Sequence, residues 1–149
     1  MAKFDSLNNG SWVILGKLTL SGTSTVTTSL VDMQGFDALE IAFVNGTVTD
    51  AGAAAGFTSK LQEADVTTAA SFTDVATTNA VNGVATVTTT LDTDDDKIAG
   101  VLGYIGGKRY VRVSATGTAL SDATVFVIGR RSRAGSLPPT LVGTATAAT

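Results

Sequence analysis

Apolar side chains recur at every second position along much of this chain, and a period of two belongs to strands, not helices. Trp12, Ile14, Leu18 and Leu20 share one parity, interrupted at Gly16. Leu39, Ile41 and Phe43 share another, and Phe57 and Leu61 are opposed by Lys60 and Gln62. Ala85, Val87 and Leu91 oppose Thr86, Thr88 and Thr90, while Val111 and Val113 oppose Tyr110 and Arg112. The segment ATVFVIG (123–129) is apolar on both faces, as in a central sandwich strand or one covered by a neighbour. Thr and Val, both β-branched and strand-favouring, are among the commonest residues.

Turn signals punctuate these segments: LNNG (7–10), DMQG (32–35), VNGT (44–47), VNG (81–83) and GYIGGK (103–108). The last is expected to form a hairpin or bulge at Gly106–Gly107. VTDAGAAAG (48–56) is Ala-rich, but its glycines predict a loop. DVTTAASFTDVA (65–76) has room for one helical turn. About eight strands with short connections predict an all-β fold, an antiparallel β-sandwich that is jelly-roll-like. The chain's 149 residues suit one such domain, and 44% hydrophobic against 15% charged residues argues against disorder. We place the sandwich at 12–130, between extended arms at 1–11 and 131–149. The only prolines, Pro138 and Pro139, fall in the C-terminal arm. The body has none, so its strand edges are not blunted by proline and are expected to be open to pairing with another subunit.

The chain has no cysteine and no histidine. That removes disulfides, thiolate and imidazole metal sites, and nucleophiles that need a thiol or a His base. MAKFDSLNNGSW lacks the apolar core of a signal peptide, and no run approaches the ~18 apolar residues of a membrane span. The expectation is a soluble protein made and used without export. No catalytic residues, cofactor or metal are expected. LDTDDDK (91–97) lacks the Gly and distal Glu of a calcium loop and reads as a solvated turn. Glu40, Glu63, Asp65 and Asp74 have no spacing that makes them a glycosidase pair.

Net charge is −3, but positive charge gathers in the last third. In KRYVRV, alternation puts Lys108, Tyr110 and Arg112 on one strand face, and RRSR adds Arg130, Arg131 and Arg133. Arg and Tyr are enriched in protein interfaces, so these six are the candidate protein-contact residues. A sequence pI of about 4.7 argues against nucleic acid as the partner.

DMQGFDALEIAF (32–43), KLQEAD (60–65), FTDV (72–75) and GYIGGKRYVRV (103–113), in this order, carry a resemblance. The chain is similar over residues 26–130 to a family of small head proteins of tailed bacteriophages and prophages. Its members read as an Asp-x-Gln-Gly-aromatic segment, a Leu-Gln-Glu segment and then Ile-Gly-Tyr-x-Gly-x-Lys-Arg-Tyr-x-Arg. The resemblance implies a capsid decoration (cement) protein encoded near the major capsid protein. The implied partners are the major capsid protein and the chain itself, as homodimer or homotrimer, without nucleic acid or membrane. The implied location is the capsid surface of the virion, assembled in the bacterial host cytoplasm. A head–tail connector or tail component is the first alternative, and a virion-surface carbohydrate-binding module the second. The loop at 51–56 and the Pro-Pro tail depart from the family pattern.

Overall fold

The computed structural model describes residues 10–49, 56–90 and 92–133. They form ten strands in two antiparallel sheets. The first half contributes β1 (Gly10–Gly22), β2 (Thr25–Thr27), β3 (Val31–Asp32), β4 (Ala38–Thr49) and β5 (Gly56–Ala64). The second contributes β6 (Thr73–Asp74), β7 (Thr86–Thr89), β8 (Ile98–Tyr104), β9 (Tyr110–Thr118) and β10 (Leu120–Ser132). Sheet A has the order β1-β10-β4-β8. Sheet B is built on β9 and β5, with β2 and β3 along the free side of β9 and β6 and β7 along the free side of β5. When each broken edge counts as one strand, the eight positions read 1-8-3-6 in one sheet and 2-7-4-5 in the other. This is the predicted β-sandwich, with jelly-roll order.

The strands form where alternation puts apolar side chains between the sheets. Leu39, Ile41, Phe43, Leu102, Val125 and Val127 line the inside of sheet A. Phe57, Leu61, Val111, Val113 and Ala115 answer from sheet B. Burying each large side chain contributes about 1.5–3 kcal/mol. The 65–76 segment holds a single 3₁₀ turn, Ala69–Ser71, as its composition allowed.

Three local expectations need correction. VNGT (44–47), expected to turn, runs inside β4, where Val44 pairs with Phe126 and Asn45 with Val125. The single parity of Trp12, Ile14, Leu18 and Leu20 does not survive in β1. Ile14 pairs with Ile128 but Gly16 pairs with Val127, so Leu15 and Gly16 share one partner in a β-bulge. Gly16 takes φ +124, which L side chains rarely adopt. The extra residue reverses the facing: Leu15, Leu18 and Leu20 are buried, whereas Trp12 and Ile14 are 67% and 84% exposed. GYIGGK, in turn, is not a hairpin. It joins β8 in sheet A to β9 in sheet B. It carries Gly106 across the ring of Tyr104, where a Cβ would lie 2.6 Å from the phenol oxygen.

ATVFVIG does form a central strand, between β1 and β4 in sheet A. Its inner residues are buried, but Phe126 and Ile128 on the outer side are exposed. Among the described residues, strand structure runs from Gly10 to Ser132, slightly outside the expected 12–130. The remainder of both predicted arms, 1–9 and 134–149, lies outside the described residues, as does most of the 51–56 loop.

Candidate functional site

Three surfaces result: a basic end, a polar outer face on sheet B and an apolar outer face on sheet A. Gly10 pairs with Ser132, so the first and last described strands meet at one end of the sandwich. There the loop after β3 is held by three arginines from two other strands or their flanks. Arg109 donates from Nε to Asp32 Oδ1 (3.2 Å) and from Nη2 to Oδ2 (3.0 Å). That fork is the strong bidentate geometry, and it holds the Asp32 carboxyl below the usual carboxylate range. The Gln34 N–H also donates to Asp32 Oδ1 (2.9 Å). Arg131 donates to the Asp32 carbonyl (2.6 Å) and to Ser11 Oγ (3.2 Å), with its guanidinium 4.3 Å from the Phe36 ring centre. Arg133 donates to the Gly35 carbonyl (3.1 Å) and lies 5.8 Å from the same ring.

The neighbouring basic residues are also engaged within the chain. Lys108 Nζ donates to Asp65 Oδ2 (2.5 Å). Arg112 Nε donates to Gln62 Oε1 (2.9 Å), and its guanidinium sits 4.1 Å over the Phe72 ring. Tyr110, half-buried at the start of β9, has the Arg109 guanidinium 5.1 Å over its ring. Beneath them Glu63 is buried, accepting from the Tyr104 hydroxyl (2.6 Å) and from Asn79 Nδ2 (3.0 Å). The Tyr104 oxygen accepts from the Lys108 N–H (3.0 Å). Burial first, then the bond to Glu63, pushes the phenol well above its ordinary value, so it stays a donor.

The predicted contact residues therefore separate. Lys108, Tyr110, Arg112, Arg131 and Arg133 stand at or next to the basic end, each in contact with the protein's own groups. Arg130 stands apart, on the outer face of sheet A, 5.9 Å from the Trp12 ring centre. The segments that carry the family resemblance meet one another here, as Asp32 with Arg109, Gln62 with Arg112 and Glu63 with Tyr104.

The outer face of sheet B is polar. One row crosses four strands as Thr25, Thr116, Thr58 and Thr88, with hydroxyl contacts of 2.9 Å and 3.3 Å between outer pairs. The acidic turn after β7 serves the fold. Asp95 Oδ1 accepts from the Val48 N–H (2.5 Å), and the Asp94 carbonyl accepts from Asn45 Nδ2 (3.1 Å). Among the described residues, no three His, Cys, Asp or Glu side chains gather as a metal-holding group. Of the four carboxylates noted in the sequence, Glu63 meets Tyr104, Asp65 meets Lys108, Asp74 meets Lys60 and Gln62, and Glu40 stands in register with Arg130 on sheet A.

The outer face of sheet A is the feature that alternation alone did not reveal. Strand register builds three rows across it. The first is Trp12, Arg130, Glu40 and Gly103. The second is Ile14, Ile128, Ala42 and Val101, and the third is Lys17, Phe126, Val44 and Ile98. Ile98, Val101, Phe126 and Ile128 are all exposed along with Trp12 and Ile14. Two signals pointed to it: a glycine inside a strand, which marks a bulge, and ATVFVIG, apolar on both sides.

No family model matches the chain, and no curated protein is significantly similar to it. Among solved structures it is similar to PBSX exported protein XepA, with TM-score 0.51 and 15% identity. That match covers 93% of this chain and 42% of XepA, so the chain spans less than half of that protein. A fructosyltransferase from A. japonicus matches with TM-score 0.42 and 9% identity, over 90% of this chain and 28% of that one. At 15% identity, the likeness to XepA is one of fold.

Proposed function

We propose that this chain is a structural protein of a tailed-phage particle, a capsid decoration (cement) protein that binds the outer surface of the head and bridges major capsid protein subunits. The observation that carries this reading is how its side chains are spent. The charged groups at the basic end bind the protein's own loops, while the outer face of sheet A exposes Trp12, Ile14, Ile98, Val101, Phe126 and Ile128. Exposed apolar patches of this kind often serve binding, which supports a molecule that works by contact. The sequence resemblance to phage head proteins and the fold likeness to XepA, a prophage protein, support the same class. Jelly rolls are a recurrent architecture of viral shells.

In this reading the protein is not an enzyme and needs no cofactor. We assign the shell contact to the basic end, with Lys108, Tyr110, Arg112, Arg131 and Arg133 and the segments that join β1 and β10 there. Repetition over the shell gives avidity, because each further contact on an assembled lattice is effectively intramolecular. Binding to the assembled state alone stabilises it by linkage. The test is the molar ratio of this chain to major capsid protein in purified particles, by quantitative mass spectrometry. A ratio near one, one-half or one-third is expected. A ratio of a few per cent would overturn the cement role and point to a connector or tail component.

A further inference from the structure

We infer that the outer face of sheet A is the interface of a twofold dimer of this chain, with the axis running along the strands between β10 and β4. It rests on the proposed role only for what the dimer is used for; its existence follows from the face itself. The face has two unlike halves. The half on β1 and β10 is bulky, with Trp12, Ile14, Phe126 and Ile128 standing out from it. β4 beside it is shallow, with Ala42 and Val44 half-buried in the same rows, while Ile98 and Val101 on the β8 edge stand out again. A twofold axis along the strands exchanges β1 with β8 and β10 with β4. It therefore lays the bulky β10 of each copy on the shallow β4 of the other and sets β1 against β8 at the edges.

The pairing that results is complementary at the two central strands and apolar along most of the edges. Ile128 meets Ala42 of the second copy, and Phe126 meets its Val44. Ile14 meets Val101, and Trp12 meets the Gly103 corner, which the Val81 side chain covers. In the remaining central position Arg130 meets Glu40, twice by symmetry, so charge matches where bulk does not decide. The Lys17 stem lies against Ile98 with its ammonium at the rim. A twofold axis across the strands would instead set Glu40 against Val44 and Arg130 against Phe126, leaving each carboxylate without a cation from the second copy. Two sheets stacked face to face at about 10 Å are ordinary sandwich packing.

The footprint sets the strength. Four strands ~4.8 Å apart and three rows ~6.8 Å apart cover on the order of 400 Å² per copy. That is about half of the ~800 Å² per partner in a standard interface. The dimer is therefore a weak one, formed at high local concentration such as that on a shell.

The experiment is sedimentation velocity on the full chain from low to high micromolar concentration, with Trp12 emission read on the same samples. Trp12 is the only tryptophan, so its emission reports this face alone. The expected result is a reversible rise from 15.0 kDa to twice that mass, with a blue shift as Trp12 is covered. Ile14→Glu, at a position 84% exposed in the single chain, is expected to abolish the rise without lowering the melting temperature. The decisive arm mixes two charge variants. Arg130→Glu alone and Glu40→Arg alone set like charges against each other and stay monomeric. Mixed in equal amounts, they pair two glutamates with two arginines and recover the dimer. A monomer at every concentration, a trimer, or a dimer indifferent to Ile14→Glu would overturn the inference, and so would failure of the mixture to associate. Each of these outcomes is independent of the copy number in particles, which tests the shell role.

Discussion

Tyr104 is fully buried, yet its hydroxyl sits between a carboxylate it donates to and a backbone N–H it accepts from. Removing that oxygen orphans both Glu63 Oε2 and the Lys108 N–H. Tyr104→Phe is therefore expected to cost about 1–3 kcal/mol, the desolvation penalty of buried polar groups without partners. Urea unfolding measures it, and a neutral result would mean that the network is not intact in solution. The surface carboxylates make a second, pH-dependent contribution. Asp32 is held low chiefly by Arg109, and Asp74 chiefly by Gln62 with help from Lys60. Depressed acids bind protons less readily folded than unfolded, so their stabilisation is complete above the unfolded value of ~3.9 and is lost as pH falls below it. The Lys108 ammonium, raised by Asp65, has the opposite sign: its contribution is lost as pH climbs past ~10.4. With no histidine in the chain, the melting temperature is expected to be flat from about pH 5 to 8 and to drop on either flank. Asp32→Asn should make the acid flank shallower, as a thermal melt series would show.

Among the elements, the bulge in β1 decides which face of the molecule is apolar. Gly16 has open space where a Cβ would stand, so Gly16→Ala is a test of backbone strain alone, expected to cost about 1–3 kcal/mol. Gly106→Ala fails for another reason, because its Cβ would strike the Tyr104 ring and push the hydroxyl off Glu63. Gly106→Ala should thus lose only the part of its effect that comes from displacing the hydroxyl in the Tyr104→Phe background, because the ring carbons at 2.7 Å remain, whereas Gly16→Ala should be unchanged there; a double-mutant cycle by denaturation separates them. The same bulge shows what a sequence can disclose. Alternation located the strands from Leu39, Phe57 and Val111, because a buried face repeats every two residues. It misjudged the facing of Trp12 and Ile14, because one extra residue shifts parity without changing composition. Turn residues marked GYIGGK, but nothing local tells a turn which sheet its second strand will join. The basic residues were legible as charges, not as charges already paired. Arg109 finds Asp32 from 77 positions away, and Arg131 finds its carbonyl from 99.

At the scale of the whole molecule, the surfaces of the sandwich are assigned different partners: a second copy to the apolar face of sheet A and the shell to the basic end. The last of these assignments has its own test. Among the described residues, the sheet register closes at Ser132 opposite Gly10, and the core cluster runs from Leu15 to Val127. A chain ending at Arg133 is expected to keep the melting temperature of the full chain. Without the segment that leaves from the basic end, it should bind heads stripped of this protein at least tenfold more weakly in co-sedimentation, about 1.4 kcal/mol. The residual binding should weaken further with added salt, because the remaining contact is through exposed arginine and lysine side chains. Equal binding by the shortened chain, with no salt dependence, would move the shell contact away from the basic end. A lowered melting temperature would instead make 134–149 part of the folded body.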